Sequence, residues 1–111
     1  MLIHNKPEHI EALVEPTRLR IANLLAAEEM QPGDLAEILS LQRSTLAHHL
    51  GKLKSAGMLT TRRGNDGRSV FYSLADHPLL NEAKELLVRV ARIAPYSADL
   101  KKLRKYRRKT K

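Results

Sequence analysis

The chain has 111 residues, a net charge of +8 and no cysteine. That length suits one compact domain or a dimer of such domains, and the missing thiols exclude disulfides, thiolate metal sites and thiol redox sensing. With one Phe, three Tyr and no Trp, the core must come from Leu, Ile, Val and Ala.

The N-terminal stretch MLIHNKPEHIEALVEP lacks a continuous apolar run, and no segment approaches membrane-spanning length. A soluble, cytoplasmic protein with no membrane partner is expected. Ile10, Leu13 and Val14 mark a short first helix. A second begins in EPTRLRIANLLAAEE, with Pro16 just inside its start and Ile21, Leu24 and Leu25 at helical spacing. A third begins in QPGDLAEILSL, with Pro32 at its first position, Asp34 in its first turn and Leu35, Ile38 and Leu39 as its stripe. Leu41 and Gln42 make a short break before QRSTLAHHLGKLKSAG, a fourth helix that stops at Gly57, a glycine C-cap. MLTTRR and RSVFYSL favour strands, and GNDG between them is a turn, which gives a hairpin with Arg62, Arg63, Asn65 and Arg68 at or near its tip. In LLNEAKELLVRVARIA, Leu79, Leu80, Ala83, Leu86, Leu87, Val90 and Ala94 build a stripe too wide for a small domain to cover alone. KKLRKYRRKTK closes the chain.

The expected fold is mainly α with a β-hairpin wing (α+β), in the order α-α-α-α-β-β-α. Two short helices joined by a tight turn, the second followed by a β-ribbon, describe a winged helix-turn-helix. Residues 1–98 are expected to form the DNA-binding and dimerisation domain, and residues 99–111 a basic tail that either touches flanking DNA phosphates or is solvated and disordered.

Charge is segregated along the chain: −4 over residues 1–40, +5 over residues 41–75 and +7 over residues 76–111. Such segregation favours a polyanionic partner, nucleic acid first. On a helical wheel of the fourth helix, Leu46, Leu50 and Leu53 share the core face. Ser44, His48, Gly51 and Ser55 lie opposite, flanked by Thr45, Ala47 and Lys52, with Arg43 in the first turn and His49 at the boundary. Short hydrogen-bonding side chains with cations at the edges suit insertion into a major groove; they equally describe a solvated face. Gly51 costs about 1 kcal/mol of helix propensity against Ala, which close approach to a partner's backbone would explain.

The segments EPTRLRIANLL and GDLAEILSLQRSTLAHHLGKLKSAGMLTTRRGNDGRSVFYSL resemble the ArsR-type (ArsR/SmtB) family of winged-helix transcriptional repressors over about residues 8–94. The resemblance implies a homodimer that binds a double-stranded operator and is released by an inducer. It implies that Arg43, Ser44, Thr45, Ala47 and His48 read bases and nearby phosphates, His48 standing where an arginine is common. It implies that Arg62, Arg63 and Arg68 are wing residues reaching the DNA backbone or minor groove. It also implies dimerisation through the first and last helices, here Ile10, Leu13, Leu79, Ala83, Leu86, Leu87 and Val90. Gln42 replaces the usual Ser at the helix N-cap and makes a weaker cap.

The chain departs from the family at its metal sites. The Cys-x-Cys-Asp-Leu motif of many members reads EMQPGDL, with Gln31 and Gly33 at the ligand positions. Asp76 and His77 are adjacent, and Leu86 to Val90 offers no ligand for the family's long-helix site. His4 and His9 with Glu28 or Glu29 would be an improvised site at most, so no metal or cofactor is expected, and the effector is an unknown small molecule or protein. The rival class is a winged-helix module that docks on protein or RNA. An enzyme is not expected: no phosphate-binding glycine loop, cysteine nucleophile, metal-ligand spacing or plausible carboxylate pair is present, and His48 and His49 point about 100° apart.

Overall fold

The computed structural model describes residues 7–90 and 92–110. Its elements are α1 (Pro7–Leu13), α2 (Pro16–Ala27), α3 (Pro32–Leu39), α4 (Arg43–Ser55), β1 (Leu59–Arg63), β2 (Val70–Leu74), α5 (Pro78–Glu82), α6 (Lys84–Val90) and α7 (Tyr96–Thr110).

α2 is the central helix. Its first turn is fixed by Pro16 and by the Glu15 carboxylate, which accepts from the Arg18 backbone N–H at 2.8 Å. Ile21, Ala22, Asn23, Leu24 and Leu25 are buried in succession. Five consecutive buried residues cover more than one helical turn, so the middle of α2 is enclosed on all sides. Around it pack Leu35, Ile38 and Leu39 of α3 and Leu46, Leu50 and Leu53 of α4, with Met30, Met58, Leu80, Leu87 and Leu103 closing the core.

The turn between α3 and α4 is tight because Ser40 adopts the left-handed conformation, φ 55°, and its N–H returns to the carbonyls of Ala36 and Glu37. Gln42 gives α4 no side-chain cap hydrogen bond. At the other end of α4 the Gly57 N–H donates to Lys54 O at 2.9 Å and the Met58 N–H to Leu53 O at 3.0 Å. This is a Schellman closure, and it requires the observed φ of 77° at Gly57. A Cβ there would lie 3.7 Å from His77 Cδ2, ordinary contact, so the cost of a side chain is backbone strain alone. Gly57→Ala is expected to lower stability by about 1–2 kcal/mol, read as a lower urea midpoint with an unchanged slope.

β1 and β2 pair antiparallel from Leu59↔Leu74 to Arg63↔Val70. The intervening loop is pinned by Asp66, whose carboxylate accepts from the N–H of Arg68 at 2.9 Å, the N–H of Ser69 at 2.8 Å and the Ser69 hydroxyl at 2.6 Å. The Ser69 hydroxyl leads these bonds in pushing the Asp66 pKa down to about 2. A bridge between Met30 and Tyr72, with N–H···O distances of 3.0 and 2.8 Å, ties the hairpin to the connector between α2 and α3.

Two expectations are corrected beyond the hairpin. The single helix from Leu79 to Ala94 is two, α5 and α6, and α6 ends at Val90. Ala83 between them has ψ near zero, −1°, and Pro95 disfavours helical backbone at Ala94. The chain from residue 99 onward is not a tail. It belongs to α7, so the boundary expected after residue 98 falls inside that helix. Asp99, 1% exposed, accepts from Arg20 Nε at 2.9 Å and Nη2 at 2.8 Å; Leu103 is buried; the Tyr106 hydroxyl donates to Asp34 at 2.7 Å; and Arg107 pairs with Glu28 and Asp34.

Candidate nucleic-acid interface

α4 presents two faces, divided as its leucine spacing requires. Leu46, Leu50 and Leu53 are buried, whereas Arg43, Ser44, Thr45, Ala47, His48, Gly51 and Lys52 are exposed. Nothing lies within 4 Å of where a Cβ on Gly51 would stand, so the middle of this face is open to a partner. Four of the expected reading residues, Ser44, Thr45, Ala47 and His48, lie together on it.

The flanking cations are more differentiated. The Arg43 guanidinium folds back on the first turn of α3, 3.0 Å from where a Cβ on Gly33 would be. It therefore stands where the two helices of the motif meet. Lys52 borders a hollow shared with Glu8, Glu11 and Arg18 on the α1 side. On the wing, Arg63 Nη1 donates to Gly67 O at 2.9 Å and shapes the loop, and Arg68 is exposed at the tip. Arg62 sits 4.4 Å from the centroid of the Phe71 ring and makes a bidentate pair with Glu29, including Nε–H···Oε2 at 2.8 Å. That pairing holds the Glu29 carboxyl below its usual range. Arg62 thus links wing and connector, and all three wing arginines, Arg62, Arg63 and Arg68, are exposed.

His49 is half-inward, as its place beside the leucine stripe implies. Its Nδ1 lies 3.1 Å from Arg18 Nη1. A guanidinium can only donate, so Nδ1 accepts and the ring carries its proton on Nε2. Burial, with help from the Arg18 charge, lowers the pKa of His49 and keeps the ring neutral; Glu15 opposes this. Arg18 also donates to the carbonyls of Ala12 and Glu11, the latter at 3.1 Å. No sequence pattern announced this contact, which joins residues 31 positions apart.

The residues expected at a dimer surface divide into two groups. Ile10 and Leu86 are exposed at 48% and 53%. Leu13 and Leu87 are corrected: they are buried in the protomer's own core, and Leu79 and Ala83 pack partly against it. The side chain of Val90 lies outside the described residues, as does His4. Val14, Val88 and Ile93, outside the expected set, are exposed large apolar side chains. The wide stripe divides into buried and exposed members, and helical spacing alone could not assign them. α1 and the start of α5 are neighbours, since the rings of His9 and His77 meet edge-on at 4.7 Å and His77 Nδ1 caps α5 by accepting from the Leu79 N–H at 3.1 Å. His9 therefore faces α5, and among the described residues no group of three or more His, Asp or Glu is arranged to hold a metal ion.

An open groove of about 720 Å³ runs among α2, β2, α5, α6 and α7, lined by Leu25, Leu74, Leu80, Leu87 and Leu100 with Asn23 at its polar edge. Among the described residues no helix is long and apolar enough to cross a membrane.

Residues 15–61, from the start of α2 into β1, match the family model described as "Bacterial regulatory protein, arsR family". A transcriptional repressor SmtB homolog of Synechocystis is 38% identical over 79 residues, which is 71% of this chain and 58% of that protein's length. The transcriptional repressor SdpR of Bacillus subtilis is 36% identical over 64 residues, 58% of this chain and 69% of that protein. Among solved structures, the NMR structure of the cadmium metal-sensor CmtR from Mycobacterium tuberculosis superposes with a TM-score of 0.61 at 37% identity, covering 78% of this chain and 86% of that one. The helix-turn-helix, the hairpin beside it and these likenesses agree: the chain, which spans under three fifths of the length of the SmtB homolog, belongs to the ArsR family of winged-helix transcriptional regulators.

Proposed function

We propose that the protein is a cytoplasmic homodimeric repressor that inserts α4 into successive major grooves of a palindromic operator. The observation that carries this reading is the exposed face of Ser44, Thr45, Ala47 and His48, small enough for close approach and able to donate and accept at base edges. The exposed apolar side chains Ile10, Val14 and Leu86 support a second copy as the cover for α1 and α6. A twofold dimer would set two recognition helices about 34 Å apart on one side of the duplex. Release by a non-metal effector is supported by the chain's lack of cysteine and by the apolar groove, which touches the wing strand β2 and the helix α6 at once.

The test is fluorescence anisotropy with the DNA upstream of the protein's own gene against a scrambled duplex. Ser44→Ala and His48→Ala are each expected to weaken operator binding by about 1–3 kcal/mol and to narrow the gap between the two duplexes. Unchanged affinity and discrimination in both variants would remove α4 from the groove.

A further inference from the structure

We propose that the C-terminal half of α7 is a third DNA-contacting element, a phosphate clamp beside the recognition helix and the wing. The inference rests on the operator-binding reading and extends it to a part of the chain outside residues 15–61, the span of the family match.

The connector from Glu28 to Asp34 is the meeting point. On one side it is joined to the wing, through the Met30–Tyr72 bridge and the Glu29–Arg62 pair. At Gly33 it abuts the Arg43 guanidinium from the start of α4. Asp34 accepts from the Tyr106 hydroxyl, and Arg107 pairs with both Glu28 and Asp34. α7 packs along α3: residues 106 and 107 meet Asp34 in the first turn of α3, and Lys102, Lys105, Tyr106 and Lys109 border a cleft with Glu37 and Ile38. The basic C-terminal half of α7 thus meets the connector at Asp34, next to Gly33 and the Arg43 guanidinium of the recognition helix.

The electrostatics agree with this placement. Glu28, Glu29 and Asp34 would repel phosphates at the edge of a DNA site. Each is engaged by an arginine, Glu29 by Arg62 and the other two by Arg107. Lys105 and Lys109 on the α3 edge and Arg108 on the α2 edge are left exposed. The connector's carboxylates are thus largely offset, and exposed cations flank it, Arg43 on the helix-turn-helix side and Lys105, Arg108 and Lys109 on α7; their matching partner is the phosphate backbone of the duplex that α4 enters. Lysine and arginine side chains that meet phosphates carry no sequence information, so the contact adds affinity and not sequence preference.

The experiment compares wild type with the triple variant Lys105→Gln/Arg108→Gln/Lys109→Gln on the operator fragment, by anisotropy over a salt series and by hydroxyl-radical footprinting. All three side chains are exposed, and circular dichroism checks that the fold is kept. The expected result is a plot of log affinity against log salt that is shallower by about 0.9 for each phosphate no longer neutralised. Protection should disappear at phosphates beside the half-site while the ratio of operator to scrambled affinity is unchanged. A control variant, Arg89→Gln/Arg92→Gln/Lys101→Gln, removes equal charge elsewhere and is expected to keep the footprint. An unaltered slope and footprint in the first variant, or equal changes in both, would overturn the clamp; so would a loss confined to one base pair. If wild type fails to distinguish operator from scrambled DNA, the operator reading fails by itself, and the slope of the first variant still decides whether α7 touches phosphate.

Discussion

Arg20→Met is expected to destabilise the protein by about 3–5 kcal/mol, the usual cost of leaving a buried charge without its partner. Asp99 is 1% exposed and receives two guanidinium hydrogen bonds, at 2.8 and 2.9 Å, from a side chain that is itself 26% exposed. Methionine fills much of the arginine's volume but offers no donor, so the carboxylate keeps its desolvation and loses its compensation. Urea denaturation measures the difference. The double variant Arg20→Met/Asp99→Leu is expected to recover most of the loss, since replacing both members of such a pair by apolar groups is often close to neutral. A single-variant loss below about 1 kcal/mol would put the pair in the class of solvent-screened surface contacts.

Leu86→Asp is the substitution with the largest expected effect on function. Leu86 is 53% exposed in the isolated protomer, so a carboxylate there leaves the fold intact, with a melting temperature close to wild type. Buried between two copies, the same carboxylate would be unpaired. Sedimentation velocity is expected to show monomers at micromolar concentration, and affinity for the operator should collapse because two reading helices no longer bind as one unit. Leu87→Asp is the informative contrast. One position along, at 7% exposure, it places the charge in the core and unfolds the protomer. An intact Leu86→Asp dimer would place the interface elsewhere.

The helix-turn-helix was legible because its parts obey local rules. Pro16 and Pro32 begin helices, Gly57 ends one, and three leucines at positions 46, 50 and 53 orient the recognition helix without help from distant residues. The hairpin followed from its β-branched and aromatic runs and its glycine turn. What the sequence left undecided depends on partners far along the chain. Arg62 looks like any wing cation until Glu29, 33 positions away, is seen to hold it. Leu13 and Leu87 share the spacing of an interface stripe but point into the protomer, as burial alone decides. The helix from Tyr96 carries only Leu100, Leu103 and Tyr106 as apolar anchors among many cations, a composition that reads as a solvated tail. Asp99, Tyr106 and Arg107 fix it by polar bonds across 72 to 79 positions.

The Arg18 guanidinium turns these separate pieces into a mechanical linkage. It grips the last carbonyls of α1 at Glu11 and Ala12 and, from the same planar group, the lone pair of His49 in the middle of α4. Neither grip stretches by much before it breaks, since a hydrogen bond weakens steeply with distance and angle. The end of α1, the helix that carries Ile10 and leads into Val14, and the middle of α4 are therefore held by one and the same side chain of α2. A tie rod one side chain long connects where two copies would touch to where the bases would be read.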